Sequence, residues 1–151
     1  MSGSKYVLGF DYGTLSSRIV AVNLENGDVE FTESCDYPSA VINTILPCGT
    51  KLPSDNWFLQ DADDYLFVMK SLISDMFKNT SINSSDISAV GVDFTNCTVV
   101  AVDKSGKPMS SVPQYRNNPH SWVKLWKHHA AQKYASELER YMLDENTEWF
   151  G

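Results

Sequence analysis

An α/β fold is predicted for this chain on three observations. The N-terminal segment reads as three strands in succession. A run of apolar residues at helical spacing starts after Asp61, and a further strand-like stretch, "ISAVGVDFT", follows it. A strand separated from the first by a helix is expected to lie parallel to it, since the crossover reverses the chain direction twice.

The elements follow in order. "KYVLGFDY", "SSRIVAVNL" and "DVEFTESCDY" form a meander, and the Asn26-Gly27 pair in "ENGD" suits a tight hairpin. Residues 38–60, "PSAVINTILPCGTKLPSDNWFLQ", carry three prolines and one glycine and read as an ordered, irregular surface loop. From Asp61, residues Ala62, Tyr65, Leu66, Met69, Leu72, Ile73, Met76 and Phe77 line one helical face. Asp61 is the expected cap, and Asp63 and Asp64 sit near the positive end of the helix dipole. Polar "NTSINSSD" ends the helix, and "ISAVGVDFT" reads as a short buried strand. "CTVVAVD" reads as another strand, with "KSGK" its exit turn. Asn118 and Pro119 form a cap-and-first-turn pair for a long helix, "PHSWVKLWKHHAAQKYASELERYML". Its apolar face is expected to hold Trp122, Leu125, Trp126, Ala130, Tyr134, Leu138, Tyr141 and Met142. Trp149 and Phe150 then stand with no following element to pack against, which suggests a piece of a longer protein.

Composition excludes several function classes. At 151 residues and 42% hydrophobic content, one domain with a real core is expected. The formal charge of −7 gives no general attraction to nucleic acid or anionic membrane, so neither is an expected partner and any phosphate must be held by local geometry. Cys35, Cys48 and Cys97 are odd in number and lack a C-x-x-C pair, which suits reduced thiols in the cytoplasm. No signal peptide or membrane-spanning apolar run is visible.

The chemistry concentrates in "GFDYGTLSSR", residues 9–18. A hairpin tip rich in glycine and hydroxyl residues presents backbone N–H groups that can satisfy phosphate oxygens without net positive charge. Gly13, Thr14, Ser16, Ser17 and Arg18 are the candidate anion-binding residues, and Asp11 the candidate Mg²⁺ residue. On its own the stretch reads equally well as an ordinary turn. Neither of the two common nucleotide motifs, the P-loop and G-x-G-x-x-G, is present.

The order strand, D-x-G-T-x-S-x-R, strand, Asn-Gly turn, strand, helix, "GVDFT" resembles the actin-like ATPase (ribonuclease H-like) fold, in which the first hairpin grips ATP phosphates. "LPCGTKLPSDNWFLQDADDYL", "VGVDFTNCTVVAVD" and "NPHSWVKLWKHHAAQ" extend the likeness to the FGGY carbohydrate kinase family, over nearly the whole chain. The resemblance implies the N-terminal part of the first kinase domain over 1–151, with the rest of that domain and a second domain absent. It implies ATP and Mg²⁺ as cofactors and transfer of the γ-phosphoryl group to the 5-hydroxyl of L-ribulose, in arabinose breakdown. Thr14, Ser16, Ser17 and Arg18 would face the phosphates.

On the sugar side, "DFTNC" ends a parallel strand at its carboxyl edge, where open α/β sheets bind ligands, which makes Thr95, Asn96 and Cys97 candidates. Trp126 and His129 are expected together on the helix face, the indole against the sugar's C–H face. Adjacent His128 and His129 would diverge by roughly 100° on a helix and cannot share a metal ion well. Many members of the L-ribulose branch carry aspartate at position 128, so an acidic role there is not carried over. No catalytic residue is assigned, because the family's catalytic base would lie beyond Gly151, and the isolated chain is expected to be inactive. Two other readings are a standalone sugar- or partner-binding chain without catalysis and an actin-fold switch, which "GTKLP" and "LWKHHAA" disfavour; besides the small sugar, a second copy of the chain is a candidate partner.

Overall fold

The structure, a computed structural model, describes residues 5–144; Trp149 and Phe150 lie outside them. Three strands form the expected meander: β1 Tyr6–Tyr12, β2 Ser16–Asn23 and β3 Val29–Asp36. β4 is Leu59–Gln60, α1 Ala62–Asn79, β5 Ile87–Phe94, β6 Val123–Lys124 and α2 Gln132–Asp144. The main sheet has the order β3-β2-β1-β5, antiparallel at its first two junctions and parallel between β1 and β5. The expected α/β class and the parallel crossover are both present.

Period-two alternation decides which face of the sheet is buried. Leu8, Phe10 and Tyr12 of β1, with Ser17, Ile19 and Ala21 of β2, point to one side. α1 lies there against β2 and β3 and contributes Val68, Leu72 and Met76, each at most 1% exposed. Burial of one such side chain is worth roughly 1.5–3 kcal/mol, so this stripe outweighs intrinsic helix propensity in holding α1. The Asp61 carboxylate accepts the Asp63 N–H, as the sequence predicts, and the buried Asp64 accepts the Ser39 N–H. The apolar face is rotated from the expected one. Val68 is central, whereas Leu66 and Phe77 are 54% and 38% exposed, because only the positions spaced three and four from Leu72 face the sheet.

Three further expectations are corrected. β5 is an edge strand, not a buried one. α1 covers β2 and β3 and leaves Val90, Val92 and Phe94 more than half exposed. "CTVVAVD" forms no strand. Val99 and Val102 make isolated bridges to Lys124 and Pro108, and Asp103 then organises the expected turn by accepting from Ser105 and Lys107 N–H.

The long helix from Pro119 is also absent. Asn118 caps a single 3-10 turn, Pro119–Ser121, and the chain then extends as β6 against β4. Successive residues Trp122 and Val123 are both fully buried, which a strand enclosed on both sides allows and one helical face does not. α2 starts only at Gln132. Trp122 joins Ile42, Leu46, Leu52, Trp57 and Leu59 in a second apolar cluster, so the proline-rich segment 38–60 carries a small core of its own.

Candidate functional site

The tip between β1 and β2, Gly13 to Leu15, has all three of its carbonyls tied down. The Tyr37 hydroxyl donates to Gly13 O at 3.0 Å and the Gln60 side-chain amide to Thr14 O at 2.7 Å. The Tyr37 N–H donates to Leu15 O at 3.0 Å. In a trans peptide the N–H points opposite to the preceding carbonyl. The Thr14 and Leu15 N–H groups are therefore directed away from buried Tyr37 and Gln60, and among the described residues neither has a hydrogen-bond partner. Two adjacent unpaired amides on a turn make a candidate anion-binding nest.

The predicted residues around the tip divide. Asp11 and Arg18 are exposed and paired across the strands, and among the described residues Arg18 forms no ion pair. Ser16 is half-buried beside them. Ser17 is turned the other way. It is fully buried and its hydroxyl donates to Asp11 O at 3.0 Å, so it braces the hairpin and is not presented to a ligand.

Parallel register sets Asp93 beside Asp11 and Gly91 beside Gly9. These residues, with Arg18 and Val20, line a groove of about 340 Å³ on the sheet face away from α1. Asp93 was not among the sequence candidates. The signal for it is the repeated G-x-D of "GFD" and "GVD", which parallel pairing aligns.

Four of the five expected sugar-side residues converge. Thr95, Asn96, Cys97 and Trp126 line an open cleft of about 440 Å³ at the carboxyl end of β5. The Thr95 N–H bonds Tyr12 O, the Thr95 and Thr98 hydroxyls share a 2.8 Å hydrogen bond, and the Asn96 side chain accepts the Cys97 N–H. Cys97 sits at φ 59°, a left-handed conformation that folds this turn sharply back at the strand end. His129 is exposed and does not line the cleft. With no helix at this point it is not held on a common face with Trp126, and its N–H is tied instead to Asn56 O. His128 was assigned no role. Its Nδ1 accepts the Phe58 N–H at 3.3 Å, and its ring meets Trp57 edge to face. A carboxylate at this position would supply the same acceptor.

The two halves of the site touch. The Trp126 indole N–H donates to the Thr14 hydroxyl at 3.2 Å, across 112 positions of sequence. A ligand in the cleft would thus lie beside the anion nest, separated from it by one indole ring. Burial pushes the Tyr65 hydroxyl up to about 12 and raises Tyr37 further, so both remain donors at any ordinary pH.

The chain matches the FGGY family of carbohydrate kinases, N-terminal domain, over residues 6–147. It is 43% identical over 136 residues to a ribulokinase of Geobacillus thermodenitrificans, covering 90% of this chain and 24% of that protein. It is 40% identical over 146 residues to ribulokinase 2 of Staphylococcus saprophyticus, covering 97% and 27% respectively. The chain thus spans about a quarter of the length of these curated relatives. Among solved structures it is similar to a gluconate kinase of Lactobacillus acidophilus, with TM-score 0.68 and 14% identity over 95% of this chain and 24% of that one. A xylulose kinase of the same organism gives TM-score 0.67 and 14% identity, covering 93% of this chain and 24% of that one. At these identities the structural likeness shows the fold alone.

Proposed function

Since the chain belongs to the FGGY family of carbohydrate kinases, we propose that its described residues form the phosphate-gripping and sugar-facing parts of an ATP-dependent kinase of L-ribulose. The observation that carries this reading is the Trp126–Thr14 hydrogen bond, which sets a cleft with an aromatic wall and a few polar groups beside the candidate anion nest. A phosphoryl donor and a polyol acceptor need that adjacency. The Thr14 and Leu15 N–H groups, the Ser16 hydroxyl and Arg18 suit the ATP phosphates, and the exposed carboxylates of Asp11 and Asp93 suit Mg²⁺. When bound, Mg²⁺ neutralises charge on the phosphates. Trp126 packs on the C–H face of the pentulose, while Thr95, Asn96 and Cys97 bond its hydroxyls.

In the transfer, the 5-hydroxyl oxygen bonds to the γ-phosphorus as the bond to the β–γ bridging oxygen breaks, and ADP departs. The hydroxyl proton passes to a base. Among the described residues no carboxylate or imidazole lines the cleft. We infer that a base outside the described residues takes this proton and that the chain by itself binds without turning over, in a reducing cytoplasm where ATP is available. L-ribulose is favoured over other pentuloses by the two relatives at 40% and 43% identity.

The test is ADP release with L-ribulose and its epimers, beside calorimetric titration of the chain with Mg·ATP and with each sugar. Binding of Mg·ATP and L-ribulose without turnover is the expected result. Turnover by the chain alone would show that its machinery is complete. Binding of a sugar but no nucleotide would favour a non-catalytic binder.

A further inference from the structure

We propose that Gln60 and Tyr37 are positioning residues that aim the Thr14 and Leu15 N–H groups at the phosphates, an inference that rests on reading the hairpin as the phosphate grip. Neither residue touches the ligand. Each fixes one peptide plane of the tip from beneath.

Gln60 is 2% exposed, and both ends of its amide are in use. Its Nε2 donates to Thr14 O at 2.7 Å, and its Oε1 accepts the Tyr65 hydroxyl at 2.6 Å. A carbonyl can only accept, so the amide must present Nε2 to Thr14, and Tyr65 satisfies the oxygen left over. The Tyr65 backbone carbonyl in turn accepts the Tyr12 hydroxyl at 3.3 Å, which ties this chain of bonds to the end of β1. Tyr37, 3% exposed, holds the preceding plane through its hydroxyl on Gly13 O and the following carbonyl through its own N–H.

Peptide planarity converts these carbonyl anchors into N–H directions. The loss of one bond frees one plane to rotate, and the N–H group of that plane is then no longer held away from the buried side. Hydrogen bonds in a buried network are interdependent, so the Tyr65–Gln60–Thr14 chain is expected to act as a unit. β4 pairing with β6, with Gln60 opposite Val123, places Gln60 on the same small sheet that leads to Trp126. The nest and the sugar cleft therefore share one support.

The discriminating variant is Gln60→Met, which keeps the unbranched shape but removes the donor that faces Thr14 O and leaves Tyr65 only a weak sulfur acceptor. Backbone ¹⁵N relaxation on the 151-residue chain reads the result without ligand. In the native chain the Thr14 and Leu15 amides are expected at order parameters of roughly 0.85, the rigid-backbone value. In Gln60→Met the Leu15 value is expected to fall to about 0.6 or below, while Thr14, whose plane Tyr37 still holds, stays near the native value. Tyr37→Phe should loosen Thr14 in turn. Unchanged order parameters in both variants would overturn the proposal. Titration with tripolyphosphate separates it from the functional reading. Native Thr14 and Leu15 resonances that do not shift would overturn the phosphate grip, and with it the purpose assigned to the two anchors. Shifts that persist undiminished in both variants would overturn only the positioning role.

Discussion

At the residue scale, the position that sequence reasoning set aside has a clear physical task. His128 stands where its Nδ1 accepts the Phe58 N–H, so the imidazole must be neutral to serve. Its pKa is held below the ordinary 6.5, first by burial and then by the nearby Lys124, His120 and His129 charges. A lowered folded value means that the neutral form is favoured. Its contribution is therefore present above pH 6.5 and is lost as pH falls through the lowered value. His128→Asn keeps an acceptor without the titration, so in urea unfolding the native chain should lose stability relative to this variant as pH drops below that window. His128→Ala at neutral pH should cost about 0.5–1.5 kcal/mol, the usual net worth of one hydrogen bond. Side-chain identity alone showed a residue type here; the backbone donor 70 positions away was not visible in it.

At the element scale, legibility followed how local the determining forces are. The meander, the Asn26-Gly27 turn at φ 79° for Gly27, and the Asp61 cap depend on neighbours in sequence and were readable there. The helix expected from Pro119 failed because periodicity does not distinguish a helical stripe from a strand buried on both faces. Tertiary pairing with β4 made that choice. Close strand packing makes a further prediction. A Cβ on Gly9 would lie 2.9 Å from the Cγ1 of Val20, a β-branched side chain with little freedom to yield. Gly9→Ala should destabilise by about 1–3 kcal/mol, the range of core overpacking. Most of that should be recovered in Gly9→Ala/Val20→Ala, compared with Val20→Ala alone in a double-mutant cycle.

At the scale of the whole molecule, two elements among the described residues leave rows of apolar side chains uncovered. Val90, Val92 and Phe94 of β5 are each more than half exposed, as are Tyr134, Leu138, Tyr141 and Leu143 of α2. An open sheet edge and an unpartnered amphipathic helix both favour association. Sedimentation velocity is expected to show mass rising with protein concentration, and Val92→Lys with Leu138→Lys to reduce it. Among the described residues no helix is long and apolar enough to cross a membrane.

The sequence by itself determined the α/β order, the three-stranded meander, the capped helix and the parallel fourth strand of the sheet, and it marked "GFDYGTLSSR" and "DFTNC" as the segments proposed to bear chemistry. The meander and the cap rest on spacing within a few residues, where propensity and capping act, the parallel strand on the helical crossover, and the two segments on the order of motifs along the chain. Only the tertiary structure decided that Ser17 faces inward, that His129 is outside the cleft, that Asp93 joins Asp11, and that Gln60 and Tyr37 hold the hairpin tip. Those outcomes depend on contacts between residues far apart in the chain, and the 112-position reach from Thr14 to Trp126 is the extreme case. Which hydroxyl or carbonyl meets which donor is settled by packing, because a buried polar group left unpaired costs more than a net hydrogen bond returns.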